Sequence, residues 1–267
     1  MKKINLLLVA AFISSSIFAQ EQQGLTSKKG EPYLPETGEW AISIDASPFL
    51  KYFGNFIGGN GLNAAPTFEF LKSNSITGKY FIDPETAYRA SVRLGLYSDG
   101  QTTKVPATGS ATTQVDNKRT DSGSDIGLTA GKEWRKGKTR LQGFYGAEAG
   151  IDLSSASTSY TYGNAMTSTT ASRTTESKSG STFGIGVRGF IGAEYFIFPK
   201  MAIGGEFGWG LGLTSTGEGQ NTTESWVSGA ATTNTTKTGG KSSFGLDTDN
   251  TNSIFGPSGT IRLTLHF

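Results

Sequence analysis

The chain has 267 residues, no cysteine, 37 glycines and a single histidine, with 35% hydrophobic and only 17% charged residues. Ser and Thr together number 63, close to a quarter of the chain. The lack of cysteine excludes a disulfide framework, a thiolate metal site and a cysteine nucleophile, and a formal charge of +2 is no nucleic-acid footprint.

The first residues have the three-part pattern of a secretory signal peptide. Lys2 and Lys3 form a basic start, residues 4–12 are almost all apolar, and cleavage after Ala19 leaves a polar run that begins at Gln20. An uncleaved anchor is the alternative, but the apolar stretch is short for a spanning helix. We therefore expect residues 1–19 to be removed, which leaves 22 basic and 22 acidic residues. Residues 20–38 show no periodicity and are predicted to form a flexible periplasmic arm.

From residue 39 onward, polar and apolar residues alternate with period two in eight blocks, which predicts eight strands. The clearest blocks are 87–97, 141–153, 183–197 and 201–213, and the weaker ones are 40–45, 76–82, 125–134 and 261–267. Short connections at 83–85, 135–138 and 199–200 alternate with long ones at about 51–72, 100–123, 154–182 and 214–257. This alternation places all short turns at one end and all long loops at the other, which is the topology of an up-and-down barrel.

Alternation alone leaves a soluble sandwich as the alternative, with its polar face outside. Three features favour a transmembrane barrel. The clear blocks are long enough to cross a tilted bilayer path, glycines concentrate on the polar face, where a narrow interior needs small side chains, and aromatic residues gather at the short-turn ends. The predicted periplasmic aromatic girdle consists of Trp40, Tyr80, Tyr88, Trp134, Tyr195 and Phe198.

The last strand, 259–267, alternates and ends in Phe267. Such a strand resembles the C-terminal signature of bacterial outer-membrane barrels, and together with the signal peptide it makes the whole of 39–267 similar to small eight-stranded barrels of the OmpA/OmpX type. The resemblance implies an all-β, antiparallel barrel in the cell outer membrane, in contact with lipid and lipopolysaccharide. It also implies that the barrel-assembly machinery reads Phe267, and that the peptidoglycan-binding domain of longer relatives is absent.

Charged residues of both signs fall on the face predicted to point inward. We expect them to form a structural ion-pair network that fills a narrow interior; a narrow porin-like channel for small solutes or ions is the alternative. The predicted network consists of Asp45, Lys79, Arg89, Arg93, Glu133, Glu148, Asp152, Arg188, Glu194, Glu206 and Arg262.

No residue pattern indicates an enzyme. His266 falls at the predicted periplasmic end, away from the extracellular rim where barrel enzymes act, and no motif places a base beside a nucleophile. The acidic cluster at 247–250 lacks the spacing of a calcium loop, so we interpret it as a turn.

The predicted long loops carry most of the Ser and Thr, with 17 such residues among the 29 of 154–182. Because Thr favours strands, these segments either form hairpins that extend the barrel beyond the membrane or are mobile. They point to a structural or surface role in envelope integrity, adhesion or docking of an extracellular protein or surface ligand; plain hydrophilic loops are the alternative. We expect a monomer that binds no cofactor, metal or nucleic acid.

Overall fold

The computed structural model describes residues 25–46, 49, 52, 76–247, 254–256 and 258–267. The predicted signal peptide, most of the predicted loop 51–72 and residues 248–250 of the acidic cluster lie outside these residues. In the part of the chain that is described, no helix is long and apolar enough to cross a membrane.

The described residues fold into β-strands joined by turns. The strands are β1 (Trp40–Asp45), β2 (Ile76–Asp83), β3 (Thr86–Pro106), β4 (Gln114–Lys136), β5 (Leu141–Thr161), β6 (Arg173–Lys178), β7 (Thr182–Phe198), β8 (Met201–Thr216), β9 (Gly219–Val227), β10 (Ala230–Thr238), β11 (Lys241–Asp247) and β12 (Gly259–His266).

Eight of these strands form a closed ring of antiparallel neighbours. The order around the ring is β1, β2, β3, β4, β5, β7, β8 and β12, and β12 pairs with β1 to close it. The closing pair runs from Ala41 opposite His266 to Asp45 opposite Arg262. The predicted all-β class and the eight antiparallel strands are therefore confirmed as a hydrogen-bonded ring.

Much of the sequence predicted as long loops is strand, which agrees with the hairpin alternative, and the ring strands extend beyond their predicted ends. β3 continues to Pro106 and β4 begins at Gln114, while 154–182 and 214–257 contain β6, β9, β10 and β11. Thr favours extended backbone, but polar residues on both faces of these strands conceal the period-two signal. The name outer sheet is used below for β6, β9 and β10 together with the long-loop ends of three ring strands. These ends are residues 98–106 of β3, 114–122 of β4 and 155–161 of β5.

On the ring strands, the residues of the predicted apolar face are exposed and those of the predicted polar face are buried. In β7, Val187 and Ile191 are exposed, whereas Arg188 and Glu194 are buried. The same inversion holds on β3, where Arg89 is buried and Leu94 is exposed. The ring therefore has an apolar outer face and a polar, charged interior.

The described part of the predicted arm lies against the short-turn end of the ring. Gly38 donates its backbone N–H to Phe81 at 2.7 Å, and the Arg140 guanidinium lies 4.4 Å from the Tyr33 ring. Lys200 pairs with Glu39 and donates to the Leu34 carbonyl at 3.1 Å. Residues 25–38 thus make specific contacts that the sequence pattern did not predict.

Candidate functional site

The structure brings the predicted ion-pair residues together inside the ring. Ten of the eleven are buried, and Asp45, which is half-buried, stands opposite Arg262 in the closing strand pair. Alternation on each strand turns these side chains to the same side of the sheet. The interior is the candidate site because nearly all of the buried charge of the described residues converges there.

Arg89 is the centre of this network. Its Nη1 and Nη2 donate to the two carboxylate oxygens of Glu206 at 2.8 and 3.2 Å. Its Nε lies 3.2 Å from Glu148, and its Nη1 lies 3.6 Å from Glu133. Since β3 and β8 lie on opposite sides of the ring, the Arg89–Glu206 pair crosses the interior.

Two further cations complete the central cluster. Arg188 lies 3.3 Å from both Glu148 and Glu206. Arg262 lies 3.6 Å from Glu206 and donates to the Thr77 hydroxyl at 2.8 Å. Each buried carboxylate of this cluster therefore faces more than one cation, which compensates part of its desolvation.

A smaller cluster lies toward the long-loop end of the ring. Arg93 donates to Asp152 at 2.7 Å and to Asp125 at 3.2 Å. Asp125 was assigned to the inward face by its position in the alternating pattern but was not included in the predicted network. It belongs to the cluster because β3 and β4 are neighbours, with Gly95 opposite Asp125.

Another cluster lies toward the short-turn end and contains a residue that the sequence analysis missed. Lys79 lies 2.9 Å from Glu133, and Arg135 pairs with Glu133 at 2.9 Å, with Glu194 and with Gln142 at 2.9 Å. Arg135 was predicted to lie in a turn at 135–138, but β4 continues through Lys136 and buries it. Its spacing of two residues from Glu133 was the available signal.

Aromatic rings lie against two of the interior cations. The Arg89 guanidinium lies 4.1 Å from the Phe190 ring, and Lys79 Nζ lies 4.9 Å from the Phe144 ring. Cation–π attraction strengthens when the cation is desolvated, as it is here.

Inward glycines make room for these side chains. A Cβ on Gly208 would collide with Arg188, and one on Gly192 would collide with the Phe144 ring. The concentration of glycine on the polar face, noted in the sequence, therefore has a direct steric cause.

Two apolar residues of the last connection also fill the interior. β11 pairs with residues 210–216 of β8, and β12 pairs with residues 201–207. Ile254 and Phe255, which lie between β11 and β12 in the sequence, are buried. A Cβ on Gly184 would lie 3.0 Å from Ile254, and one on Gly186 would lie 3.0 Å from Phe255. Local sequence patterns do not predict this insertion, because the segment has no period-two alternation.

His266 is buried between two aromatic rings. Its ring lies 5.3 Å from both Phe81 and Phe196. Among the described residues, neither imidazole nitrogen has a hydrogen-bond partner.

The predicted girdle residues lie around the short-turn end. Five of the six are exposed, and Trp134 is half-buried. Trp40 and Tyr80 pack with ring centroids 4.9 Å apart, and Lys132 Nζ lies 5.4 Å from the Trp134 ring. Phe267 is exposed and exchanges backbone hydrogen bonds with Trp40 at 2.9 and 3.0 Å.

The outer sheet has a different chemistry, dominated by hydroxyls and exposed charge. Arg173 pairs with Glu224 between β6 and β9, and Lys237 lies 2.8 Å from Glu218. Thr158 donates to Asp121 at 2.6 Å, and this bond, with a smaller contribution from Arg119, lowers the pKa of Asp121.

In the described part of the chain, no group of three or more His, Asp or Glu side chains is arranged so that it could hold a metal ion. No family model and no curated protein matches the chain.

Proposed function

We propose that the ring is a transmembrane β-barrel of the bacterial outer membrane, with a non-enzymatic structural or surface-interaction role. The observation that carries this proposal is the inverted distribution of polarity. Charged side chains are rarely buried in soluble proteins, and large apolar patches rarely remain exposed, yet the ring has both.

The exposed apolar side chains gain from a hydrocarbon surrounding. Full burial of one such side chain in an apolar environment contributes about 1.5–3 kcal/mol of favourable free energy. This contribution is lost when the side chain is exposed to water. The larger exposed apolar residues on the ring include Ile42, Ile76, Leu94, Leu128, Ile151, Leu153, Phe183, Ile185, Val187, Ile191, Phe207, Trp209, Leu211, Leu213, Ile261 and Leu265.

The height of this apolar face fits a bilayer. On β7 it extends from Phe183 to Tyr195, which is about 40 Å along a strand at ~3.3 Å per residue. A tilt of ~40° reduces this length to a height of about 30 Å, close to the thickness of the hydrocarbon core.

The residue types on the outer face of the ring change at both edges of the apolar face. The aromatic girdle lies at the short-turn end, as expected at a membrane interface. At the opposite end, outward positions change from Leu94, Ile126 and Leu153 to Ser98, Ser122 and Ser155. Ser122 donates to Ser98 at 3.1 Å, so this hydroxyl-rich level suits contact with water or headgroups.

The interior favours a structural role over conduction. The space between Arg93, Arg188, Arg262 and Phe255 is a cavity of about 10 Å³, which holds about one water molecule. The crossing Arg89–Glu206 pair and the inserted Ile254 and Phe255 occupy the surrounding volume. The narrow channel therefore receives no support from these residues, and the outer sheet is the part available for interaction.

Membrane fractionation combined with heat-modifiable migration on a detergent gel tests the proposal. We expect the protein to stay in the membrane fraction after a high-salt wash and to migrate faster before boiling than after it, because the hydrogen-bonded ring resists detergent. Recovery in the soluble fraction would overturn the membrane proposal.

A further inference from the structure

β10 is an edge strand of the outer sheet. It pairs with β9 over nine residues without a bulge, from Ala230 opposite Val227 to Thr238 opposite Gly219. No other described strand pairs with it, and all nine of its residues are exposed. One row of its backbone N–H and C=O groups is thus available to another chain.

β10 belongs to a two-residue hairpin that is paired on its other side. Ser228 and Gly229 have φ of 52° and 89°, the two positive values that a type I′ hairpin turn requires. On its other side β9 pairs with β6, where Arg173 and Glu224 form an ion pair. A strand ordered in this way loses little conformational entropy when it binds a partner.

β10 has few of the features that prevent natural edge strands from pairing with other chains. Natural edges carry proline, bulges or charges, whereas β10 has no proline, keeps a regular register and has a single charge at Lys237. Both faces are polar, so pairing does not require an apolar surface to match.

We propose that β10 pairs in an antiparallel manner with β10 of a second copy of this chain, with Asn234 opposite Asn234 of that copy. In this register Thr232 faces Thr236, and Thr233 faces Thr235, and cross-strand Thr pairs stabilise sheets. Lys237 faces Ala231, so no like charges are opposed. The same residues serve both copies, as a two-fold interface demands.

This register favours a second copy over a foreign strand, because Thr residues lie symmetrically on both sides of Asn234. Two copies of β10 therefore match each other when one is reversed. The inference rests on the proposed surface role, which leaves the outer sheet free outside the membrane. β10 runs from the hairpin tip back toward the ring, so an antiparallel partner runs in the opposite direction and belongs to a copy in an apposed membrane. The proposed surface interaction is therefore a contact between two cells through the same protein, and it replaces the monomer expected from the sequence.

Single cysteines test the register directly, because the chain has no cysteine of its own. In Asn234→Cys the two Cβ atoms are expected about 4.5–5.5 Å apart, close to disulfide geometry. In the matched control Thr232→Cys they are about four residues out of register, roughly 13 Å apart.

We expect mild oxidation to give a disulfide dimer for Asn234→Cys and none for Thr232→Cys alone, whereas a mixture of Thr232→Cys with Thr236→Cys cross-links. Equal cross-linking of all three, or cross-linking of none, would overturn the proposal and leave a foreign strand or no partner at this edge.

A charge series gives an independent readout by light scattering of the folded protein in detergent. T233K/T235K opposes like charges in the proposed pair, whereas T233K/T235E places each lysine opposite a glutamate of the other copy. We expect the doubled mass of the wild type to be halved in the first variant and kept in the second. A monomeric wild type, or the same mass in both variants, would contradict the pairing.

Failure of this pairing is distinguishable from failure of the proposed function. The heat-modifiable migration of each preparation reports the folded ring, and fractionation reports membrane location, whichever mass is found.

Discussion

Arg89 shows how much of the interior a single residue can organise. It touches three carboxylates contributed by β4, β5 and β8, so its loss leaves several buried anions with fewer cations. Replacing both partners of a buried ion pair by apolar residues changes the stability little. Removing only one partner is costly, because the other charge stays buried without a counter-charge.

We therefore predict that Arg89→Met lowers the free energy of unfolding by about 3–5 kcal/mol. The control is Lys104→Met, because Lys104 pairs with Asp116 at 3.0 Å on the exposed outer sheet, where an ion pair contributes little. Urea titration of the protein refolded in micelles, followed by tryptophan fluorescence, measures both. Similar small losses in the two variants would show that Arg89 is not central.

At this scale the sequence predicted most of the interior. Alternation alone assigns Arg89, Glu148 and Glu206 to one face, because side-chain direction in a strand depends only on parity. Arg135 was missed because the basic residues of 135–138 resemble a turn. Partners across the ring, such as Glu206 for Arg89, depend on the closure and register of distant strands, which local patterns do not contain.

At the scale of elements, the ring strands and the outer strands differ in how readily they are predicted. The ring strands have one apolar face, so their period is visible. β9 and β10 are polar on both faces and show no period, and only their Thr content favours strand. The Ser228–Gly229 pair is the one local turn signal between them.

The segment between β11 and β12 provides a prediction about packing. Ile254 is almost fully buried, and a Cβ on Gly184 would lie 3.0 Å from it. We expect Ile254→Ala to cost about 2–5 kcal/mol of stability and Gly184→Ala to be destabilising by crowding.

In the double variant the added methyl fills part of the space left by Ile254, so the costs are not additive, with a coupling of about 0.5–3 kcal/mol. Unfolding free energies of the four proteins in this cycle measure the coupling. Additive losses would show that Ile254 does not pack on Gly184.

At the scale of the whole molecule, the distribution of polarity explains the unusual composition. The 35% of hydrophobic residues is low for a folded domain, because only alternate residues of each ring strand are apolar. The glycines and ion pairs fill the interior, and the Ser and Thr residues form the outer sheet. The eight alternating blocks and the short and long connections predicted a closed ring, and the pairing of β1 with β12 confirms the closure. The register of that pair is visible only in the structure.

The most direct measurement of the proposed membrane setting compares the same substitution at two exposed valines. Val187 is 59% exposed near the middle of the apolar face of β7, and Val227 is 52% exposed at the tip of the outer hairpin. We predict that, in protein folded into lipid vesicles, Val187→Arg lowers the free energy of unfolding by about 2–4 kcal/mol, whereas Val227→Arg changes it by no more than about 0.5 kcal/mol. If Val187→Arg is tolerated as well as Val227→Arg, the apolar face does not lie in lipid.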